Sequence, residues 1–197
     1  VPHPVSCGDT LEDKPPPQRR FMTDDQGKVI HGKPDAYWEH YRALYREKCR
    51  RVDAQAGQVL DALARLALDR NTIVVFVSDH GDMDTQHRVP EACGGAGPQA
   101  TDGFALGTDV LPTLCDFAGA PAGEHHGASL KGFLTGAAGM PARDHVVSQY
   151  YNKQKWVNPI RMLRTRRYKY NRYRVHGEEL YDLVNDPHEL HNLAADT

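Results

Sequence analysis

The pattern of apolar positions predicts a long helix in the first half of the chain. From residue 35 to residue 68, apolar side chains recur at steps of three, four or seven positions, which is the spacing of one face of an α-helix. The opposite face of this segment is rich in arginine. The apolar stripe consists of Trp38, Tyr41, Leu44, Tyr45, Val52, Val59, Leu60, Leu63 and Leu66.

A buried strand is predicted directly after this helix. Residues 72–78, TIVVFVS, form an apolar run rich in β-branched side chains, which favours a strand covered on both faces. A helix, a short turn and a buried strand make up half of an α/β layered unit. Ligands of such sheets bind beyond the carboxyl ends of the strands, where this sequence places Asp79 and His80.

The remaining segments have weaker patterns. Residues 1–34 contain many prolines and charges without a lasting period, and we expect the consecutive prolines to keep this segment out of helix. The stretch TDVLPTLCDFAGAP predicts a short helix with Gly119 just past its end. Clusters of β-formers after residue 144 predict a small antiparallel sheet. We therefore predict an extended linker-like segment (1–34), an α/β part (35–140) and a C-terminal antiparallel subdomain (141–197).

Composition narrows the class of protein. The 197 residues are 40% hydrophobic and 25% charged, which is typical of a folded globular chain. The formal net charge of −2 gives no global attraction to nucleic acid, and the basic stretch RMLRTRRYKYNRYR is better explained as a strand with one solvated face. No apolar run approaches 18 residues, so we predict no membrane contact. The start of the chain lacks a signal-peptide pattern, which leaves the cytoplasm and the periplasm open as compartments.

Asp79 and His80 are costly groups to place at the end of a buried strand. An unpaired carboxylate in such a place needs a cation, strong hydrogen-bond donors or water. Asp79 supplies oxygen and His80 supplies nitrogen, so the two together suit a divalent metal ion. The alternative is that Asp79 caps the next turn while His80 packs as a hydrogen-bonded imidazole.

At this point the chain resembles the sulfatase family of the alkaline-phosphatase superfamily. NTIVVFVSDHGDM is similar to the family's strand and metal-binding loop, and RRVDAQAGQVLDALARLALDR resembles the helix before it. TDVLPTLCDFAGAP resembles the helix after the loop, and MLRTRRYKYNRY with ELYDLVNDPHELHNLA resembles the C-terminal tail. The resemblance implies an alkaline-phosphatase-like layered α/β sheet with helices, incomplete in this chain, plus a small C-terminal antiparallel sheet.

The resemblance also implies site residues and a metal ion. Asp79 and His80 match the family's metal ligands, and His87 matches a histidine that follows this loop in relatives. We expect His87 to hydrogen-bond an anionic ester or to protonate the leaving oxygen; the alternative is a histidine in a surface loop. Ca²⁺ is the ion that the family implies, and the nitrogen donor of His80 leaves Mn²⁺ as an alternative.

The chain departs from the family at other positions. None of its cysteines or serines lies in the C/S-x-P-x-R motif that supplies the family nucleophile, which is converted to formylglycine. The D-D-x-R context that completes the family's metal site is also missing, and no lysine lies between Lys48 and Lys131. His3 could be mistaken for the family's upstream histidine, but its proline-rich surroundings favour a linker.

These observations leave more than one function open. We expect a metal-dependent sulfatase-like hydrolase of sulfate monoesters, on a small molecule or a glycan, that is inactive as an isolated chain. The alternatives are a phosphodiesterase or phosphonate monoester hydrolase of the same superfamily and a non-catalytic remnant. Because the predicted helix and strand need neighbours, we also expect self-association or pairing with a missing N-terminal half.

Overall fold

The computed structural model describes residues 3–24, 26–78, 87, 103–139, 141–153 and 156–196. The chain divides into two compact units that alternate along the sequence. Unit 1 contains residues 1–10 and 21–95, and unit 2 contains residues 11–20 and 96–197. These two units do not follow the boundaries of the three segments predicted from the sequence, and that division into three segments stays a prediction. Among the described residues, no helix has both the length and the apolar character needed to cross a bilayer.

The first helix, α1 (Pro16–Asp24), shows that the expectation of no helix in the proline-rich start is wrong. Pro16 and Pro17 occupy its first turn, where backbone N–H groups have no partner within the helix and a fixed φ favours helix entry. A short 3₁₀ helix follows (Gln26–Val29). A Cβ on Gly27 would lie 2.6 Å from the backbone oxygen of Phe21, so only glycine allows this close approach.

The long helix α2 (Asp35–Arg65) confirms the helix that the periodicity of the apolar stripe predicts. It begins after Pro34 and carries Asp35 in its first turn and Arg65 in its last, the charges that complement a helix dipole. Trp38 is only 1% exposed, but the later part of the stripe is open: Val59 is 60% exposed and Leu66 67%. The helix therefore buries its beginning and leaves much of its apolar face uncovered.

Residues 72–78 are extended, but the structure does not place them in a sheet with any described residue. Ile73 to Val77 are 46–77% exposed, with Phe76 at the upper limit. The prediction of a strand covered on both faces is thus wrong for this chain by itself. The apolar sequence is that of a central strand, and burial of such a strand depends on neighbouring strands that the described residues do not provide.

Unit 2 contains a four-stranded antiparallel sheet with neighbouring strands consecutive in sequence, which confirms the predicted C-terminal sheet. The strands are β1 (His145–Lys153), β2 (Trp156–Thr165), β3 (Tyr168–Tyr173) and β4 (Gly177–Asp182). The register aligns Val147 with Leu163, Leu163 with Tyr170, and Tyr170 with Leu180.

One face of this sheet is built around the buried carboxylate of Glu179. Its oxygens accept hydrogen bonds from Tyr181 Oη (2.9 Å), Tyr173 Oη (3.0 Å), Asn171 Nδ2 (2.8 Å) and the side-chain amide of Gln18. Burial and the Glu179 charge raise the pKa of Tyr181, so the phenol stays protonated and remains a donor. Gln18 belongs to the segment 11–20, so this cluster fixes an early segment against the C-terminal sheet.

A second set of contacts holds the same early segment. Asn192 donates its backbone N–H to Asp13 Oδ2 at 2.6 Å and its side-chain amide to the Asp13 carbonyl oxygen at 2.9 Å. Lys14, only 5% exposed, donates to the carbonyl oxygen of Leu190 at 3.3 Å. These bonds join residues that are more than 170 positions apart in sequence.

The helix α3 (Val110–Ala118) begins after the buried residue Asp109, and Gly119 lies just past its end, as predicted. Asp109 is fully buried, and both of its oxygens accept from the guanidinium of Arg143 at 2.5 and 2.6 Å. It also accepts from the backbone N–H of Leu106 (2.9 Å) and Ala128 (2.8 Å). A four-residue helix, α4 (Lys131–Leu134), follows.

The environment of Asp109 explains its charge state. Burial alone raises the pKa of this carboxyl, but the hydrogen bonds from Arg143, Ala128 and Leu106 outweigh burial, so the pKa lies below its ordinary value. The Arg143 pKa is raised by the same contact. Asp109 therefore stays ionised and contributes stability above the pKa that it has in the unfolded chain.

We predict that Asp109→Asn destabilises unit 2 by about 3–5 kcal/mol, because it leaves the Arg143 charge without a counter-ion. Urea unfolding followed by circular dichroism at neutral pH measures the change. The stabilising effect of ionised Asp109 should be present above pH of about 4 and decline as the pH falls further, since the folded-state pKa is the lower one. The matched control is Asp116→Asn, which removes an exposed ion pair with Lys131 and should have a much smaller effect. Equal effects of the two substitutions would contradict the account.

Candidate functional site

The two predicted metal ligands, Asp79 and His80, lie outside the described residues. The described range that precedes them ends at Ser78, where the chain is extended. Their assignment as ligands therefore stays a prediction, supported by sequence position. The third predicted site residue, His87, is among the described residues.

His87 forms a close contact with Asp9 in unit 1. Its Nδ1 lies 2.6 Å from Asp9 Oδ2, although the two residues are 78 positions apart in sequence. The side chains are 12% and 7% exposed, respectively. Partial exclusion of water strengthens a carboxylate–imidazole contact, so the alternative of a solvated surface histidine does not fit this geometry.

The backbone of His87 is in the left-handed region, with φ of 51°. Histidine adopts this conformation less readily than glycine, and such positions cost roughly 1–3 kcal/mol each. The conformation persists only where surrounding contacts determine it, and the bond to Asp9 is one such contact. Residues held in this way are frequent in active sites.

His3 lies in the same unit as Asp9 and His87, so the structure places it in a compact body. Its Nε2 is 3.8 Å from Glu39 Oε1, and its side chain is 24% exposed. Both ring nitrogens are buried, and neither has a hydrogen-bond partner among the described residues. Ser6 and Cys7, a few residues later, are also buried.

The donor set of Asp79 and His80 fits part of a divalent metal site. One carboxylate and one neutral imidazole are acceptable ligands for Mn²⁺, whereas Ca²⁺ requires mainly oxygen donors. Within the described ranges, no group of three or more His, Cys, Asp or Glu side chains is arranged to hold a metal ion. The two predicted ligands would therefore need further donors to complete a coordination shell.

Asp9 is the site residue that sequence reasoning did not identify. It lies in SCGDTLED, which has no periodicity or motif, and its partner is far away in sequence. The contact could be recognised only once the fold brought the start of unit 1 against His87.

Two family models match the chain and together reach from residue 2 to residue 197. The model described as "Sulfatase" matches residues 2–120. The model described as "N-sulphoglucosamine sulphohydrolase, C-terminal" matches residues 90–197. The chain belongs to the sulfatase family. The resemblance drawn from SDHGDM and the C-terminal tail is thereby confirmed.

Individual relatives are similar over most of this chain but are much longer. A Delta 4,5-hexuronate-2-O-sulfatase of Bacteroides thetaiotaomicron is 37% identical over an alignment of 182 residues, and the match covers 81% of this chain and 38% of that protein. A solved structure described as a 2-O GAG sulfatase superposes with a TM-score of 0.82 and 30% identity, covering 100% of this chain and 48% of the other. The chain thus spans less than half the length of these relatives.

A solved structure with a lower TM-score is that of an enzyme with a different activity. The phosphonate monoester hydrolase of Agrobacterium radiobacter matches with a TM-score of 0.58 and 27% identity, over 74% of this chain and 35% of that one. The higher TM-score and fuller coverage of the 2-O GAG sulfatase agree with the predicted fold class. An alkaline-phosphatase-like α/β fold with a small C-terminal antiparallel sheet is confirmed for this sulfatase chain.

Proposed function

We propose that this chain forms the C-terminal part of a metal-dependent sulfatase that hydrolyses sulfate monoesters of a sugar. The observation that carries the proposal is the part-buried contact of Asp9 with His87, which lies seven residues after the predicted ligand His80 in a chain of this family. The two sulfatases described above are named for 2-O-sulfated hexuronate and for 2-O GAG substrates, which supports a 2-O-sulfated, uronate-containing glycan as substrate.

In this proposal each residue has a separate task. Asp79 and His80 hold the divalent ion, Ca²⁺ or Mn²⁺, which when bound polarises the sulfate oxygens and orients the ester. His87 lies near the ester and hydrogen-bonds the oxygen that leaves with the sugar. The nucleophile and the remaining metal ligands are supplied by the part of the fold that this chain does not match.

A phosphonate monoester or phosphodiester hydrolase is the second candidate. The Agrobacterium radiobacter enzyme supports it through structural similarity. The sulfatase proposal has the better support because both family models describe sulfohydrolases and the stronger structural match is a sulfatase. The two candidates differ in the ester group that is cleaved, so parallel substrates distinguish them.

We expect weak metal binding by the isolated chain, with a Kd on the order of 10⁻⁴ M or weaker, since two ligands leave the coordination shell open. Electron paramagnetic resonance of free Mn²⁺ during titration gives the Kd. Asp79→Asn should weaken binding by about tenfold or more, because it removes the charged ligand. The control is Asp61→Asn in the exposed part of α2, which should leave the Kd unchanged. Equal binding by both variants would exclude Asp79 as a ligand.

We also expect no turnover by the isolated chain. Because none of its residues lies in C/S-x-P-x-R, it should not hydrolyse p-nitrophenyl sulfate or bis-p-nitrophenyl phosphate with Ca²⁺ or Mn²⁺ present. Release of p-nitrophenol is the measurement. Clear metal-dependent turnover that is lost in Asp79→Ala would show that a nucleophile is present. The substrate cleaved in that case would decide between the sulfatase and the phosphodiesterase candidates.

The uncovered apolar face in unit 1 supports a proposal about partners. We propose that this face, consisting of the later stripe of α2 and residues 72–78, packs against the part of a sulfatase fold that this chain does not match. Backbone groups of residues 72–77 make no backbone hydrogen bonds within the described part of the chain, so they are suited to pairing with added strands. When that part is not supplied, a second copy of the chain covers the same face.

Size-exclusion chromatography with light scattering tests this proposal on the isolated chain. We expect dimers or larger species at micromolar concentration. Val59→Glu with Phe76→Glu, at side chains that are 60% and 77% exposed, should shift the population toward monomer. Leu134→Glu, at a residue of similar exposure (60%) in α4, is the control and should not. A wild-type chain that is monomeric with sharp melting would contradict the proposal.

A further inference from the structure

The contact between Asp9 and His87 specifies which nitrogen of the imidazole faces the carboxylate. Asp9 Oδ2 lies 2.6 Å from Nδ1, which is a short hydrogen-bond distance. An ionised carboxylate can only accept, so Nδ1 must carry the proton. Nε2 is then the nitrogen that remains to exchange a proton or a hydrogen bond with another group.

Two further observations show that the ring is held in place. The side chains of both residues are largely buried, which limits rotation of the imidazole. The left-handed backbone of His87 fixes where the side chain departs from the main chain. A histidine on a flexible surface loop would have neither constraint.

We propose that Asp9 is a positioning residue for His87 in the proposed sulfatase site. Its carboxylate accepts a hydrogen bond from Nδ1–H, selects the tautomer and orients the ring, so that Nε2 is directed to the ester. This proposal rests on the proposed function for the identity of the ester. The state of the imidazole itself does not depend on that function, because the Asp9 contact determines it.

The direct test is nuclear magnetic resonance of the full 197-residue chain with ¹⁵N-labelled histidine. Long-range ¹H–¹⁵N spectra at pH of about 8.5, where ordinary imidazoles are neutral, distinguish protonated from unprotonated ring nitrogens. The His87 signals are identified by their disappearance in His87→Gln. We expect His87 to be present as the Nδ1–H tautomer alone.

Substitutions of Asp9 provide the comparison. Asp9→Ala removes the acceptor, and we expect the Nε2–H tautomer to appear in at least a comparable amount. Asp9→Asn can also donate to Nδ1, so it should likewise populate the Nε2–H form. Asp9→Glu keeps an acceptor and should restore more of the Nδ1–H form than Asp9→Asn. Asp61→Asn is the control and should keep the wild-type tautomer.

The outcomes are separable from the proposed function. An Nε2–H tautomer in the wild-type chain would overturn the proposal, even if the Asp9 variants failed to fold. An unchanged tautomer in a folded Asp9→Ala variant would overturn it as well. If the expected tautomers are found while Asp79→Asn leaves Mn²⁺ binding unchanged, the role of Asp9 stands and the metal-site proposal fails.

Discussion

The candidate site depends on one contact, between the Asp9 carboxylate and the His87 imidazole. It joins the beginning of unit 1 to a position directly after the predicted metal loop, across 78 residues of sequence. A contact over such a separation requires loop closure, and its entropy must be offset by the surrounding fold. The pair thus shows that Asp9, near the start of the chain, belongs to the same compact unit as His87.

The two units differ in how much apolar surface their described residues expose. In unit 2, Asp109 and Glu179 are buried carboxylates whose hydrogen-bond partners come from distant segments, and each fixes a junction between elements. In unit 1, a long helix and an extended apolar segment expose much of their apolar surface. This difference agrees with a chain that spans 38–48% of the length of its sulfatase relatives. Apolar side chains of unit 1, such as Val59 and Phe76, are left open to solvent.

Part of the fold could be predicted because its signals are local. The stripe from Trp38 to Leu63 predicts α2 within a few residues, Gly119 marks the end of α3 through its left-handed conformation, and alternating β-formers predict the four strands. The helix α1 differs from the expectation because consecutive prolines break a helix only in its interior. In the first turn of a helix they are compatible with it.

The rest could not be predicted because it depends on distant neighbours. The apolar run of residues 72–78 predicts a strand. Whether that strand is buried depends on neighbouring strands, which the run itself does not identify. Asp79 and His80 could be proposed as ligands from their place after this run, and His87 from its resemblance to a family position. Asp9 has no comparable signal, because no sequence motif marks a single aspartate in a loop as the partner of a distant histidine.

The proposed function requires that Asp79 and His80 bind one divalent ion. A crystal structure of the chain soaked with Mn²⁺, with anomalous diffraction recorded at the manganese edge, tests it most directly. We expect an anomalous peak bonded to an Asp79 oxygen and a His80 nitrogen. A peak elsewhere, or Asp79 and His80 directed away from each other with no cavity in front of them, would contradict it.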